Sequence, residues 1–188
     1  MSINKYFEET AVRATILSND IILNNQVEDA IDVICNAFAN QKPLLVCGNG
    51  GSASDAAHIT GELVGRFLKE RKGLNAICLS TNAAVITAWA NDYNYDDIFA
   101  RQTEAHGIEG GILWGISTSG NSSNVLKAFD TAKKMNMITI GMTGKNGGKL
   151  AESSDILINV PFNHTPHIQE AHICIYHYMC QIIEERML

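Results

Sequence analysis

The stretch from Leu44 to Phe67, LLVCGNGGSASDAAHITGELVGRF, decides the fold of this chain. Its first four residues, Leu44 to Cys47, are apolar without polar alternation, which is typical of a strand buried in a parallel sheet. Residues 48–51, Gly-Asn-Gly-Gly, predict a sharp turn, because glycine adopts backbone angles that other residues avoid. Ser52 is the predicted N-cap of a helix that continues to about Phe67. The order of strand, glycine turn and helix predicts an α/β protein.

The glycine turn and the start of the helix also predict a binding site for an anion. Free backbone amides and the helix dipole favour negative charge at a helix N-terminus, and Ser52 and Ser54 add hydroxyl donors. Further along, His58 and Glu62 are four residues apart, so their side chains share one helix face. On spacing alone, such a pair most often stabilises a solvent-exposed helix. Next to the glycine turn, it predicts a base and a possible metal ligand of an enzyme acting on a phosphorylated small molecule.

Length and composition limit the classes of function. The chain has 188 residues, 46% hydrophobic and 18% charged, so we predict a single domain over residues 1–188. A net charge of −6 argues against a broad nucleic-acid-binding face. The five cysteines form no C-x-x-C pair and are interpreted as reduced thiols. We recognise no signal peptide and no apolar run of about 18 residues, and therefore predict a cytoplasmic protein without a membrane span.

The rest of the chain alternates strands and helices. Strands are predicted at residues 44–47, 76–79, 112–116, 137–142 and 155–160, and further helices at 82–91, 98–106, 123–135 and 167–185. This alternation predicts a three-layer αβα sandwich around a five-stranded parallel sheet. Two more helices, at 4–24 and 27–39, precede the first strand. We interpret residues 1–40 as an extension that packs on the domain and on a partner subunit.

A second polar turn, Ser117-Thr118-Ser119-Gly120-Asn121-Ser122, follows the third predicted strand. In sheets of this kind, ligands bind outside the carboxyl ends of the strands. The second turn is therefore expected at the same edge as the first glycine turn. Two turns rich in hydroxyl groups at one edge indicate a phosphate site more strongly than either turn alone. A third glycine turn, residues 143–148, matches neither a P-loop nor a Rossmann fingerprint and is interpreted as a connection.

Three motifs together resemble one known family. GNGGSASDAAHITGELVGRF (48–67), STSGNSSNVLKA (117–128) and TPHIQEAHICIYH (165–177) are similar to motifs of the bacterial phosphoheptose isomerases, members of the sugar isomerase (SIS) domain superfamily. The similarity runs from about Lys5 to Glu185. The first two motifs alone would indicate only an SIS domain that binds a sugar phosphate, whereas the third motif, with His58 and Glu62, narrows the resemblance to this family. It implies a flavodoxin-like SIS fold.

The resemblance also implies an aldose–ketose isomerase. The reaction would convert D-sedoheptulose 7-phosphate into D-glycero-D-manno-heptose 7-phosphate, the first step of ADP-heptose and lipopolysaccharide core biosynthesis. Proton transfer through an enediol needs a base for the carbon and a second group for the hydroxyl proton. The resemblance further implies a homotetramer with sites at subunit interfaces, and one zinc ion per subunit is expected because some members bind zinc.

Carried over by position, the resemblance implies roles for individual residues. Glu62 and His177 are the expected acid–base pair. The expected zinc ligands are His58, Glu62, Gln169 and His177. The expected substrate contacts are Asn49, Gly50, Gly51, Ser52, Glu62, Asn91, Asp92, Ser117, Thr118, Ser119, Ser122 and Gln169. His167 stands where members of the family often have arginine, a departure that bears on how the substrate is oriented.

Two other classes of function share the first two motifs. One is a catalytically silent SIS protein that binds another protein, like the relatives that bind the bacterial replication initiator. The other is a sugar-phosphate sensor. The silent relatives lack the glutamate and the C-terminal histidine, and a sensor would need no acid–base pair. Because Glu62 and His177 are both present, the sequence favours the enzyme.

Overall fold

The computed structural model describes residues 1–188, which form eight α-helices, a short 3₁₀ helix and five strands. The helices are α1 (Ile3–Ser18), α2 (Ile21–Ala39), α3 (Gly51–Val64), α4 (Ala83–Asp92), α5 (Ile98–His106), α6 (Ser123–Lys134), α7 (Leu150–Ser153) and α8 (Thr165–Arg186). The strands are β1 (Leu44–Gly48), β2 (Ala76–Cys78), β3 (Ile112–Ile116), β4 (Ile138–Thr143) and β5 (Ile156–Asn159). The 3₁₀ helix is Tyr95–Asp97. None of the helices combines the length and the apolar character that crossing a membrane requires.

The five strands form one parallel sheet with the order β2-β1-β3-β4-β5. This order confirms the flavodoxin-like arrangement, in which the strand order reverses between β1 and β3. The register places Gly48 beside Ile116, and Ile116 beside Met142. The chain therefore leaves β1, β3 and β4 at the same edge of the sheet. The three turns that follow these strands lie at that edge, as the sequence predicts for the first two.

Both faces of the sheet are covered, because neighbouring strand residues point to opposite sides. Leu44 and Val46 of β1 belong to a core of 26 buried residues shared with α2, α3 and α8. Leu45 and Cys47 belong to a second core of 12 buried residues shared with α5 and α6. The predicted three-layer sandwich is confirmed. Helices α3 and α8, which carry the predicted acid–base pair, pack on the same face.

The two helices before the sheet separate at a different point from the predicted one. The sequence predicts helices at 4–24 and 27–39, whereas the chain turns at Asn19 and Asp20, between α1 and α2. The Asp20 carboxylate accepts a hydrogen bond from the Leu23 amide at 3.0 Å and caps α2. This local cap ends the first helix although the apolar pattern continues across the break.

The starts of α3 and α8 also differ from the prediction. Gly50, with φ 57° and ψ −122°, occupies the N-cap position of α3, so the prediction of Ser52 as the N-cap is wrong. Only glycine adopts these angles without strain, and Ser52 instead lies buried in the first turn. Helix α8 begins at Thr165, two residues earlier than predicted, because Pro166 fits the first turn of a helix.

Candidate active site

The first glycine turn connects β1 to α3 and offers free backbone donors. The amides of Asn49, Gly50 and Gly51 donate to no acceptor within the subunit. Consecutive free amides of this kind form a concave site for an anion or a sugar oxygen. The side chain of Gln169 lies against the same turn, because a Cβ atom built on Gly51 would be 2.2 Å from its Nε2 atom. The structure thus brings Gln169 of α8 to the turn before α3.

The second turn groups three hydroxyls around the start of α6. The Ser117 Oγ atom lies 2.8 Å from Ser122 Oγ and 3.5 Å from Ser119 Oγ. Ser122 occupies the N-cap position of α6, but its hydroxyl makes no capping bond. The amides of Ser119, Ser122 and Ser123 donate to no acceptor within the subunit. Free amides and clustered hydroxyls are the groups that hold a phosphate at a helix N-terminus.

The third glycine turn supports the second. The Gly144 amide donates to the Thr118 carbonyl at 3.1 Å, and the Leu150 amide donates to the Gly120 carbonyl at 3.0 Å. A Cβ atom on Gly120 would be 1.9 Å from the Gly147 carbonyl oxygen, so the two turns are in backbone contact. The third turn therefore fixes the shape of the predicted phosphate turn. It connects β4 to α7, as the sequence predicts for a connection, and in addition supports the second turn.

The Asn49 side chain is engaged in holding the site together. Its Nδ2 donates to Asn124 Oδ1 and its Oδ1 accepts from Asn124 Nδ2, both at 2.9 Å, and Tyr95 Oη donates to the same Oδ1 at 3.1 Å. One N–H of the Asn49 amide stays available for a substrate. The reciprocal amide pair links the first turn to α6, and the sequence offered no local signal for Asn124 or Tyr95.

Three predicted catalytic or metal-binding residues meet between α3 and α8. The His58 Nε2 atom lies 3.0 Å from Glu62 Oε1, and the rings of His58 and His177 are 5.0 Å apart between centroids. The Glu62 side chain is 23% exposed, so it is open to a ligand. In contrast, Asn91 and Asp92 are exposed at the end of α4, where their side chains bond to each other at 2.9 Å and to no other side chain.

Comparisons with known proteins identify the family of the chain. A family model described as SIS domain matches residues 5–144. The chain is 50% identical over 161 residues to a phosphoheptose isomerase of Crocosphaera subtropica, covering 86% of this chain and 82% of that protein. It is 49% identical over 162 residues to a phosphoheptose isomerase of Helicobacter pylori, covering 86% of this chain and 84% of that protein. The chain belongs to the phosphoheptose isomerase family of SIS-domain proteins.

Solved structures of the phosphoheptose isomerase family share the complete fold. The chain matches the structure of a phosphoheptose isomerase from Francisella tularensis with a TM-score of 0.92 and 38% identity, covering 97% of this chain and 96% of that chain. It matches a phosphoheptose isomerase from Neisseria gonorrhoeae with a TM-score of 0.90 and 36% identity, covering 97% of both. Membership in this family makes the protein an enzyme, a sugar-phosphate isomerase.

In the candidate site, Tyr176 and Asp55 form a buried support for His58. The Tyr176 hydroxyl lies 3.0 Å from His58 Nδ1 and 3.4 Å from Asp55 Oδ1. Burial raises the pKa of Asp55, and burial together with the nearby Asp55 carboxylate raises the pKa of Tyr176. These contacts direct the Nε2 atom of His58 towards Glu62. The spacing of Asp55, His58 and Glu62 on one helix face was the only sequence signal for this group.

The predicted zinc ligands are not arranged as a metal site in this structure. No group of three His, Cys, Asp or Glu side chains is close enough to hold an ion. The donor set nevertheless suits zinc, since two imidazoles and a carboxylate are ligands that zinc prefers. His58 also has the geometry of a supported ligand, because Nδ1 is held by Tyr176 while Nε2 faces outward to Glu62. Zinc binding at these residues is therefore a proposal.

Proposed function

We propose that the enzyme converts D-sedoheptulose 7-phosphate into D-glycero-D-manno-heptose 7-phosphate, at the start of ADP-heptose and lipopolysaccharide core biosynthesis. One observation carries the proposal: on the helix that begins at the first glycine turn, Glu62 faces His58, whose ring lies 5.0 Å from that of His177. An acid–base pair beside a phosphate site is what an aldose–ketose isomerase requires. The curated relatives named phosphoheptose isomerase support the same substrate class.

In the proposed reaction, Glu62 removes a proton from C1 of the ketose, and the C1–C2 bond gains double-bond character as the carbonyl oxygen becomes negative. A proton delivered to that oxygen, with His177 as the donor, gives the enediol. Removal of the O1 proton and return of a proton to C2 then yield the aldose. One carbon-bound hydrogen moves from C1 to C2 and one hydroxyl hydrogen from O1 to O2, so no oxidant is consumed.

The two polar turns position the substrate for this step. The free amides and hydroxyls of the second turn, at Ser119 and Ser122, would bind the phosphate. The first turn and Gln169 would contact sugar oxygens. Binding both ends of the sugar converts proton abstraction into a step within one complex and lowers its entropic cost. Asn91 and Asp92, at the end of α4, would contact the sugar from outside these turns.

We also propose that zinc binds to His58, Glu62, Gln169 and His177. When bound, zinc would polarise the carbonyl oxygen and stabilise negative charge that develops on it. The proposal rests on the chemistry of the donors and on the support of His58 by Tyr176. We propose further that the enzyme works in the cytoplasm, where its five free cysteines would stay reduced.

The replacement Glu62→Gln tests the proposed base. Glutamine keeps the shape of the side chain but cannot accept the proton, so kcat should fall at least about 10²-fold while the oligomer and KM are retained. Solvent deuterium incorporation at C1 of unreacted sedoheptulose 7-phosphate should stop. Glu70→Gln, on a side chain 92% exposed beyond the end of α3, is the matched control and should behave as the wild type.

Deuterium incorporation at the wild-type rate in Glu62→Gln would show that another group is the base. Zinc content is measured on the same preparations. We expect about one zinc per wild-type subunit, and less in Glu62→Gln because a ligand is lost. Wild-type protein that contains no zinc and keeps full activity in a chelator would reject the zinc proposal and leave the assignment of the base standing.

A further inference from the structure

In the connection from α3 to β2, residues 65–75, Arg71 forms a buried ion pair with Glu184 of α8, and the proposed reaction does not use this pair. Arg71 and Glu184 have side chains only 3% and 1% exposed, and the Arg71 Nε atom lies 3.3 Å from Glu184 Oε1. Removing two charges from water costs several kcal/mol per ion unless hydrogen bonds compensate. The other hydrogen bonds of the two side chains therefore have to compensate for the burial of their charges.

Arg71 holds the end of the catalytic helix. Its Nη2 atom donates to the Glu62 carbonyl oxygen at 2.9 Å, and its Nη1 atom donates to the Leu63 carbonyl oxygen at 2.8 Å. These carbonyls belong to the last turn of α3, where helix carbonyls lack partners of their own. The guanidinium group thus binds the backbone of the residue that we assign as the base.

Glu184 holds the segment that follows α3. Its carboxylate accepts hydrogen bonds from three consecutive amides, those of Phe67, Leu68 and Lys69, at 2.7 to 2.9 Å. Burial alone would raise the pKa of Glu184, but these three donors and Arg71 outweigh it and lower the pKa. Glu184 is on α8, the helix that also carries Gln169, Tyr176 and His177.

We propose that Arg71 and Glu184 are positioning residues that fix Glu62 relative to His177. Arg71 fixes the backbone of Glu62, Glu184 is part of the helix that carries His177, and the ion pair joins the two. The pair contacts neither polar turn, so it acts on the position of the base and not on phosphate binding. This inference rests on the proposed role of Glu62, and it adds two residues that lie outside the substrate and zinc contacts.

The test separates positioning from stability. Arg71→Lys keeps the positive charge, but an ammonium group cannot reproduce the planar fork that donates to two carbonyls while its Nε atom stays beside the Glu184 carboxylate. Displacing a catalytic group by about 1 Å can cost up to about 10²-fold in rate, so we expect kcat to fall at least about ten-fold with KM within about three-fold of wild type. Glu184→Gln should act in the same direction, since it weakens both the ion pair and the amide contacts.

Asp155→Asn is the control for stability alone. The Asp155 carboxylate accepts bonds from the Thr139 amide and hydroxyl at 2.8 Å, between β4 and β5 and away from α3. This variant should lower the melting temperature and leave kcat unchanged. A purely structural role of the Arg71–Glu184 pair predicts the same result for Arg71→Lys, which would overturn the proposal. If Arg71→Lys does not fold, Glu184→Gln decides by the same criterion.

The outcomes also separate this inference from the proposed function. Deuterium incorporation that persists in Glu62→Gln would reject Glu62 as the base and, with it, the reason for positioning it. An inactive Glu62→Gln beside an Arg71→Lys enzyme with wild-type kcat would reject only the positioning role. An Arg71→Lys enzyme with reduced kcat, reduced deuterium incorporation and unchanged KM would support both.

Discussion

His172 is fully buried in α8, where it takes no part in the proposed chemistry. Its Nε2 atom lies 3.2 Å from the Thr143 carbonyl oxygen, and its Nδ1 atom has no partner. An imidazole that donates from Nε2 and has no partner for Nδ1 is the neutral form, which carries a single N–H. Burial lowers the pKa of His172 to about 4, although the hydrogen bond to Thr143 opposes the shift. Protonation of this histidine therefore destabilises the folded state.

The lowered pKa predicts how stability changes with pH. Because the folded pKa is below the unfolded value of about 6.5, the unfolded chain takes up the proton first as the pH falls. The stability that comes from keeping His172 neutral is fully present above about pH 6.5 and is lost as the pH falls towards 4. At pH 5 this loss should lower the free energy of unfolding by about 2 kcal/mol. Urea unfolding of His172→Gln at a fixed protein concentration should show a smaller difference between pH 7.5 and pH 5 than wild type. If His172→Gln and the wild type show the same difference between the two pH values, another group causes the loss of stability.

At the scale of elements, the turn before α3 depends on the absence of side chains. Gly50 has a positive φ, and Gly51 leaves the space that Gln169 Nε2 occupies. The atom in contact with Gly51 is the end of a flexible side chain, so a methyl group there should displace Gln169 without unfolding the helix. This geometry makes Gly51 a direct probe of the role of Gln169.

We expect Gly51→Ala to remain folded and to lose at least about ten-fold in kcat/KM, because displaced site residues no longer orient the sugar. Gly61→Ala is the matched control on the same helix, where a Cβ atom meets nothing within 4 Å. Alanine is favoured over glycine in a helix by about 1 kcal/mol, so this control should be more stable and fully active. A Gly51→Ala enzyme with wild-type kcat/KM would remove Gln169 from the substrate contacts.

At the scale of the whole molecule, helix α1 has no buried residue in the isolated subunit. Its large apolar side chains are open to solvent, with Phe7 62%, Val12 60% and Ile16 44% exposed. Helix α4, although rich in alanine and other apolar residues, also has no buried residue. Apolar surface of this extent on regular helices is typical of protein interfaces. We therefore propose that residues 1–40 take part in forming a homotetramer.

Light scattering should give a mass about four times the 20.5 kDa of one chain at micromolar concentration. The double replacement Phe7→Glu with Ile16→Glu should reduce that mass, because burying two unpaired carboxylates in an interface is unfavourable. Glu8→Gln, at an exposed position of the same helix, is the control and should stay assembled. A wild-type protein that is a stable monomer would contradict the proposal.

The sequence by itself determined the five strands, seven of the eight α-helices and the candidate residues of the site. The bounds of β3 and α5 agree with their apolar patterns, because a strand covered on both faces shows a continuous apolar run and a helix packed on one face shows an apolar period. Glycine and serine turns after successive strands indicated the binding edge, since parallel strands bring their carboxyl ends together. The motif resemblance supplied Glu62 and His177, which periodicity alone would have left as a surface residue and a core residue.

Only the tertiary structure decided which side chains support these residues. Tyr176 lies 118 residues from His58 along the chain, and Glu184 lies 117 residues from Phe67, so no local pattern relates them. Arg71 is one charge in a charged stretch of the sequence, residues 69–73, whereas the fold buries it against the end of α3. Such contacts arise when α3 and α8 pack on one face of the sheet, and the polar pairs that this packing forms between distant segments follow no local pattern in the sequence.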